Sequence, residues 1–146
     1  MKPAIRRGGA PDALAAADLY LRAREAALHA GSIPAGVHDD DDVRGYFASH
    51  IVEDCELWVA EDDGALAGIL VLDGDFVDQL YVEPGLTGRG IGSALLAVAK
   101  RERPQGLQLW AFQTNTGARR FYERHGFVEA GQTDGRDNEG FPDFWR

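Results

Sequence analysis

The sequence predicts an α/β (α+β) fold, with a mixed central sheet of six to seven strands flanked by about four helices. Three observations predict it. The runs Glu56 to Glu61, Ala65 to Leu72 and Phe76 to Val82 are separated by the turn signals Asp62-Asp63-Gly64 and Asp73-Gly74-Asp75. Such runs form consecutive antiparallel hairpins. Beyond Val82 the pattern switches to helix, strand, helix, strand, and that alternation calls for some parallel pairing. Apolar residues at helical spacing on both sides of the strands supply the outer layers.

Ala4 to Arg7 reads as a first strand, ended by Gly8-Gly9. Pro11-Asp12 starts a helix, and Leu14, Ala17, Leu21 and Leu28 carry it to about His29. A second helix opens at His38-Asp39-Asp40-Asp41-Asp42, with Val43, Phe47 and Ile51 spaced four apart on one face. Its acidic start opposes the positive end of the helix dipole. After the three hairpin strands, Ile91, Leu95, Val98 and Ala99 mark an amphipathic helix that stops before Pro104. Leu107 to Phe112 alternates as a strand. Ala118, Phe121 and Tyr122 mark a short helix ending near Gly126, Phe127-Val128 starts a strand, and Phe141 to Trp145 forms a last one.

The chain of 146 residues fits one domain, 1–146, with room for a sizeable core. No apolar run approaches a membrane span, and no apolar stretch follows the basic N-terminus, so neither a membrane anchor nor a signal peptide is expected. Cys55 is the only cysteine, which excludes an internal disulfide, and a cytoplasmic location follows as the expectation. The formal net charge of −9 argues against a nucleic-acid partner. It also means that a phosphate-bearing ligand needs a strong local site, whereas a cationic substrate is mildly favoured.

That local site is visible in Leu86-Thr87-Gly88-Arg89-Gly90-Ile91-Gly92-Ser93, between a strand and a helix. Alternate glycines strip the side chains from the turn and let backbone approach a ligand. Free amides of the turn and of the helix start then face a phosphate together, aided by the dipole. The spacing is neither the dinucleotide fingerprint nor a P-loop. A second segment follows the next strand: Asn115-Thr116-Gly117-Ala118-Arg119-Arg120-Phe121-Tyr122-Glu123-Arg124-His125-Gly126-Phe127.

Together these segments resemble the GNAT superfamily of N-acetyltransferases. That family pairs Arg/Gln-x-x-Gly-x-Gly/Ala with a later Asn-x-x-Ala-x-x-Phe-Tyr-x-x-x-Gly-Phe. Gly90 and Gly92 supply the first element; Asn115, Ala118, Phe121, Tyr122, Gly126 and Phe127 supply the second. Thr87 stands where the family has Arg or Gln. The resemblance implies the GNAT fold with splayed central strands, acetyl-CoA as donor substrate and no metal. Backbone of Leu80, Tyr81 and Val82 is expected to pair with the pantetheine arm. Thr87, Gly88, Arg89, Gly90, Ile91, Gly92 and Ser93 are expected around the pyrophosphate. Asn115 is expected on the pantetheine side, and Ala118 and Tyr122 are also expected to bind the cofactor. Tyr122 is the expected general acid at the sulfur. Asp78 is the expected general base, with Glu83 and Asp75 as rivals. The implied reaction is direct transfer of an acetyl group to a primary amine. A CoA-binding sensor of the same fold is the alternative. Family members are monomers or homodimers, and the acceptor stays open.

Other residues carry weaker signals. Asn115 suits a helix N-cap. His38 and the acidic run after it could line an acceptor site. Trp110 and Gln113 sit near the end of a central strand, and Thr133 to Gly140 reads as a loop. His29, His50 and His125 show no metal-ligand spacing, and Cys55 reads as a small buried hydrophobe.

Overall fold

A computed structural model describes residues 4–31, 39–112, 115–132 and 142–145. The strands are β1 (Ala4–Arg7), β2 (Glu56–Asp62), β3 (Ala65–Asp73), β4 (Phe76–Val82), β5 (Gln108–Phe112), β6 (Glu129–Gln132) and β7 (Pro142–Trp145). They form one sheet in the order β1-β2-β3-β4-β5-β7-β6. Every pairing is antiparallel except β4 with β5. The parallel part is a single ladder.

That ladder has two rungs, Phe76 with Gln108 and Val77 with Leu109. Past Val77 the two strands part. The cause lies in β4 itself: Gln79 pairs with Val71 and Val77 with Leu72, which leaves Asp78 as an extra residue in the strand. A bulge of this kind bends and overtwists the strand that carries it. Here it turns β4 away from β5 one residue after their last rung. The splayed centre expected from the resemblance is thus present, and a bulge accounts for it.

The helices are α1 (Ala13–His29), α2 (Asp40–Tyr46), α3 (Val52–Asp54), α4 (Ile91–Glu102) and α5 (Thr116–Arg124). A π turn, Phe47–Ile51, joins α2 to α3 into one run. Asp39 caps that run, its carboxylate accepting from the Asp42 amide at 2.8 Å. The expected face is present, since Phe47 and Ile51 are buried. The strand expected at Phe127-Val128 starts two residues later. Phe127 is buried as the anchor after α5, and Val128 is 69% exposed.

Each face of the sheet has its own core. Leu57, Val59, Ile69 and Val71 pack with Ala16, Leu19, Tyr20, Phe47 and Ile51 under α1 and the π turn. Ala67, Leu70, Leu72 and Val77 pack with Ile91, Leu95, Leu96 and Phe127 under α4 and α5. Strand alternation sends neighbours to opposite faces, so β3 is apolar along nearly its whole length.

Gly68 lets α4 lie flat on β3. A Cβ there would stand 2.9 Å from both Ile91 Cγ2 and Leu95 Cδ1, and 3.3 Å from the Tyr81 carbonyl oxygen. Gly68→Ala is expected to destabilise the protein by about 1–3 kcal/mol, the usual range for overpacking. The melting temperature should then fall by several degrees, read by circular dichroism. A melting temperature equal to that of the parent would show that α4 has slack the packing does not reveal.

Candidate active site

The gap between β4 and β5 leaves this edge of β4, among the described residues, without a strand partner from Asp78 onward. The Glu83 amide donates to the Ala67 carbonyl at 2.8 Å, toward β3. Backbone groups alternate in an antiparallel ladder. Tyr81 therefore turns its amide and carbonyl to β3, and Leu80 and Val82 turn theirs to the gap. Of the three expected docking residues, two offer backbone there. Tyr81 instead sends its ring to the opposite face, against Tyr20 at 5.1 Å.

The glycine loop follows directly. Pro84–Leu86 forms one 3-10 turn, Thr87 is extended, and Gly88 and Gly90 have φ of 79° and 83°. These are left-handed conformations that favour glycine. The first ladder bond of α4 runs from the Ala94 amide to the Gly90 carbonyl at 3.0 Å. The amides of Ile91, Gly92 and Ser93 thus precede the helix ladder and point off its start. Gly92 lies against Phe121 and Val82, and a Cβ there would make ordinary contacts of 3.4 Å to the Phe121 ring and 3.6 Å to Val82 Cγ2. Two side chains of this segment have local partners. The Thr87 hydroxyl donates to the Pro84 carbonyl at 3.4 Å, and Ser93 Oγ lies 3.0 Å from His125 Nε2. Arg89 is exposed on the loop.

The charge problem is also resolved locally. Residues 86–125 carry seven Lys or Arg and two acidic side chains, while residues 39–83 carry fourteen acidic side chains and one arginine. The overall charge conceals a basic segment that begins at the glycine loop and an acidic segment that precedes it in the chain.

Asn115 caps α5, its Oδ1 accepting from the Ala118 amide at 3.1 Å. The N-cap role is therefore real, and it occupies the Ala118 amide. At the other end, the Phe127 amide donates to the Tyr122 carbonyl at 3.0 Å and the Gly126 amide to the Glu123 carbonyl at 3.1 Å. With Gly126 at φ 89°, this is a Schellman cap. Its apolar contact is Tyr122 on Phe127, with ring centroids 5.6 Å apart. The spacing Tyr-x-x-x-Gly-Phe is thus the cap that seats the tyrosine. The Tyr122 ring also meets Phe121 at 5.4 Å. Its hydroxyl makes no hydrogen bond among the described residues, and burial pushes its pKa up to about 12.

Asp78 is the bulged residue, exposed but recessed among other groups. Burial raises its carboxyl above the usual carboxylate range. The Gln79 amide at 3.4 Å works against that rise, and the Asp73 charge adds to it. Its rivals are otherwise engaged. Glu83 is held by the Arg22 guanidinium at 2.8 to 3.1 Å, and Asp75 accepts from Gln108 Nε2 at 2.6 Å, at the closed end of the β4–β5 ladder. Tyr46 stands close enough for the Asp78 charge to help raise its phenol to about 12, burial being the larger cause. Sequence reading missed Tyr46, because an exposed tyrosine on a helix carries no spacing signal. His38, Gln113 and the loop Thr133 to Gly140 lie outside the described residues. Cys55 is only partly buried, unlike the core hydrophobe expected.

Comparison with known proteins bears on this geometry. The family described as acetyltransferase (GNAT) domain matches residues 53–129. The peptidyl-lysine N-acetyltransferase YiaC of Escherichia coli is 38% identical over 71 residues, 48% of this chain and 48% of its own length. The peptidyl-lysine N-acetyltransferase YjaB of Salmonella typhimurium is 33% identical over 87 residues, 59% of each chain. The chain thus spans about half the length of the curated relatives it matches. The crystal structure of PaiA N-acetyltransferase from Thermoplasma acidophilum in complex with coenzyme A superposes with a TM-score of 0.73 at 18% identity, covering 99% of this chain and 98% of that one. That likeness concerns the fold. Among the described residues no helix is long and apolar enough to cross a membrane.

Proposed function

We propose, since the chain belongs to the GNAT acetyltransferase family, that it transfers the acetyl group of acetyl-CoA directly to a primary amine. The observation that carries this reading is the edge of β4, which past Val77 has no strand partner among the described residues and leads into a glycine turn whose following amides precede the helix ladder. In this reading Leu80 and Val82 pair with the pantetheine arm through their backbone. The amides of Ile91, Gly92 and Ser93 hold the pyrophosphate, and the basic segment of the chain supplies the field. Placement of amine against thioester contributes on the order of 7 kcal/mol or more in favourable cases. The amine attacks the carbonyl carbon, Asp78 takes the ammonium proton, and Tyr122 donates a proton to the departing sulfur.

The acceptor we propose is a lysine side chain of a peptide. Both relatives named above bear that activity in their names, and fourteen acidic side chains between residues 39 and 83 favour a cation. The test is release of free CoA thiol from acetyl-CoA with a panel of lysine peptides, small polyamines and amino acids. Turnover that prefers lysine peptides is the expected result. Acetyl-CoA binding without thiol release from any amine would leave a CoA-binding sensor, and absence of acetyl-CoA binding would overturn the reading altogether.

The base assignment has its own test. A carboxyl raised by burial holds its proton to higher pH than usual, and protonated Asp78 accepts nothing. The acidic limb of kcat/KM should therefore fall nearer neutrality than an ordinary carboxylate would set it. Asp78→Asn should remove that limb and lower the rate by about 10²-fold or more. An unchanged limb in the variant would exclude Asp78.

A further inference from the structure

We propose that His50, Cys55 and Asp73 form a binding site for one divalent cation of the zinc type, beside Asp78. The three donors come from three elements: the π turn, the junction of α3 with β2, and the last residue of β3. One ligand atom from each, a ring nitrogen, a thiol sulfur and a carboxylate oxygen, all lie within 4.8 Å of one another. Imidazole, thiolate and carboxylate together suit a borderline cation, not magnesium or calcium.

The spacing of the His50 and Cys55 donors fits that ion. His50 Nε2 stands 3.6 Å from Cys55 Sγ. Zinc bonds of about 2.3 Å to sulfur and 2.0–2.1 Å to nitrogen, at a tetrahedral angle, put those two atoms about 3.6 Å apart. A separate observation fixes the imidazole. His50 Nδ1 lies 3.1 Å from Asp54 Oδ2. A carboxylate on the far nitrogen is the common outer partner of a metal-bound histidine, and it leaves Nε2 as the donor toward the thiol. Asp54, Asp73 and Asp78 all bear electrostatically on Cys55. Burial first, and those carboxylate charges after it, disfavour a free thiolate nucleophile, and a bound cation would offset both. The cluster is open to solvent, since the His50 side chain is 40% exposed and Asp73 lies on the surface. Three protein donors leave the fourth position of a tetrahedral ion to water or to a ligand. Sequence spacing concealed the set because Asp73 arrives from the next hairpin, and no linear pattern links it to His50 and Cys55.

The test does not depend on catalysis. Untagged protein is stripped with a chelator and titrated with Co²⁺ as a spectroscopic probe. The expected result is a thiolate-to-cobalt absorption in the near ultraviolet with tetrahedral bands in the visible, saturating at one ion per chain and displaced by Zn²⁺. Cys55→Ser should abolish the near-ultraviolet band. His50→Gln and Asp73→Asn should weaken binding by at least 10-fold, and Asp54→Asn by about 10- to 100-fold. Circular dichroism melts of each variant establish that it is folded. Absence of the thiolate band in the parent protein, or its persistence in folded Cys55→Ser, would overturn the proposal. Binding unchanged in both His50→Gln and Asp73→Asn would overturn it too.

Discussion

Replacing Tyr122 with phenylalanine should lower kcat by about 10²- to 10³-fold, with little change in the KM for acetyl-CoA or in the melting temperature. The substitution removes one oxygen and keeps the ring. That ring is seated by Phe121 and Phe127 and by the cap at Gly126, and none of these contacts involves the hydroxyl. Because the hydroxyl has no hydrogen bond among the described residues, no internal partner is orphaned by its loss. The kinetic effect is a different matter. A departing thiolate in a water-poor site needs a proton donor, and a phenol pushed up to about 12 stays protonated through the neutral and mildly alkaline range. Tyr122 should therefore introduce no break in the pH profile below about 10. Steady-state kinetics with a lysine peptide, alongside a melt, separates the two quantities. A variant with full kcat would exclude the hydroxyl as the acid and leave Tyr122 as packing alone.

Substitution at Gly90 should act on the donor instead. Gly90 takes φ 83° where α4 begins, and the amides that follow it are the ones proposed to hold the pyrophosphate. No neighbour lies within 4 Å of a Cβ built there, so space is not the constraint. Conformation is. A left-handed residue with a side chain costs about 1–2 kcal/mol, and a β-branched one more. Gly90→Val should raise the KM for acetyl-CoA by about 10- to 100-fold, with a smaller loss in kcat. Gly90→Asn should do least, since asparagine tolerates this region, and Gly90→Ala should fall between. The order Asn, Ala, Val tests the backbone explanation itself. Equal effects from all three would point to crowding of the ligand.

What could be read from the sequence follows from how local each feature is. The three hairpin strands and α4 were legible because turn residues and apolar spacing act within a few positions. Asn115 was legible as a cap for the same reason. The place of β7 between β5 and β6 was not, since strand alternation says which face is buried and not which strand lies alongside. The bulge at Asp78 was hidden as well. Phe76 to Val82 reads as one unbroken run, and only its pairing with β3 reveals the extra residue. The same limit applies at the site. The motif residues Gly90, Gly92, Asn115 and Tyr122 stood out by type and spacing. The Arg22 grip on Glu83 joins residues 61 apart, and no linear pattern encodes it.

The two-rung ladder between β4 and β5 also has a mechanical meaning. Four strands lie on one side of it and three on the other, so the sheet resembles a board split along its grain and still joined at one end. A donor whose arm bonds to the free edge of β4 would act as a splint across the split. The protein with its donor bound would be the stiffer body, and the surface that meets the amine would reach its working shape only after the donor is in place.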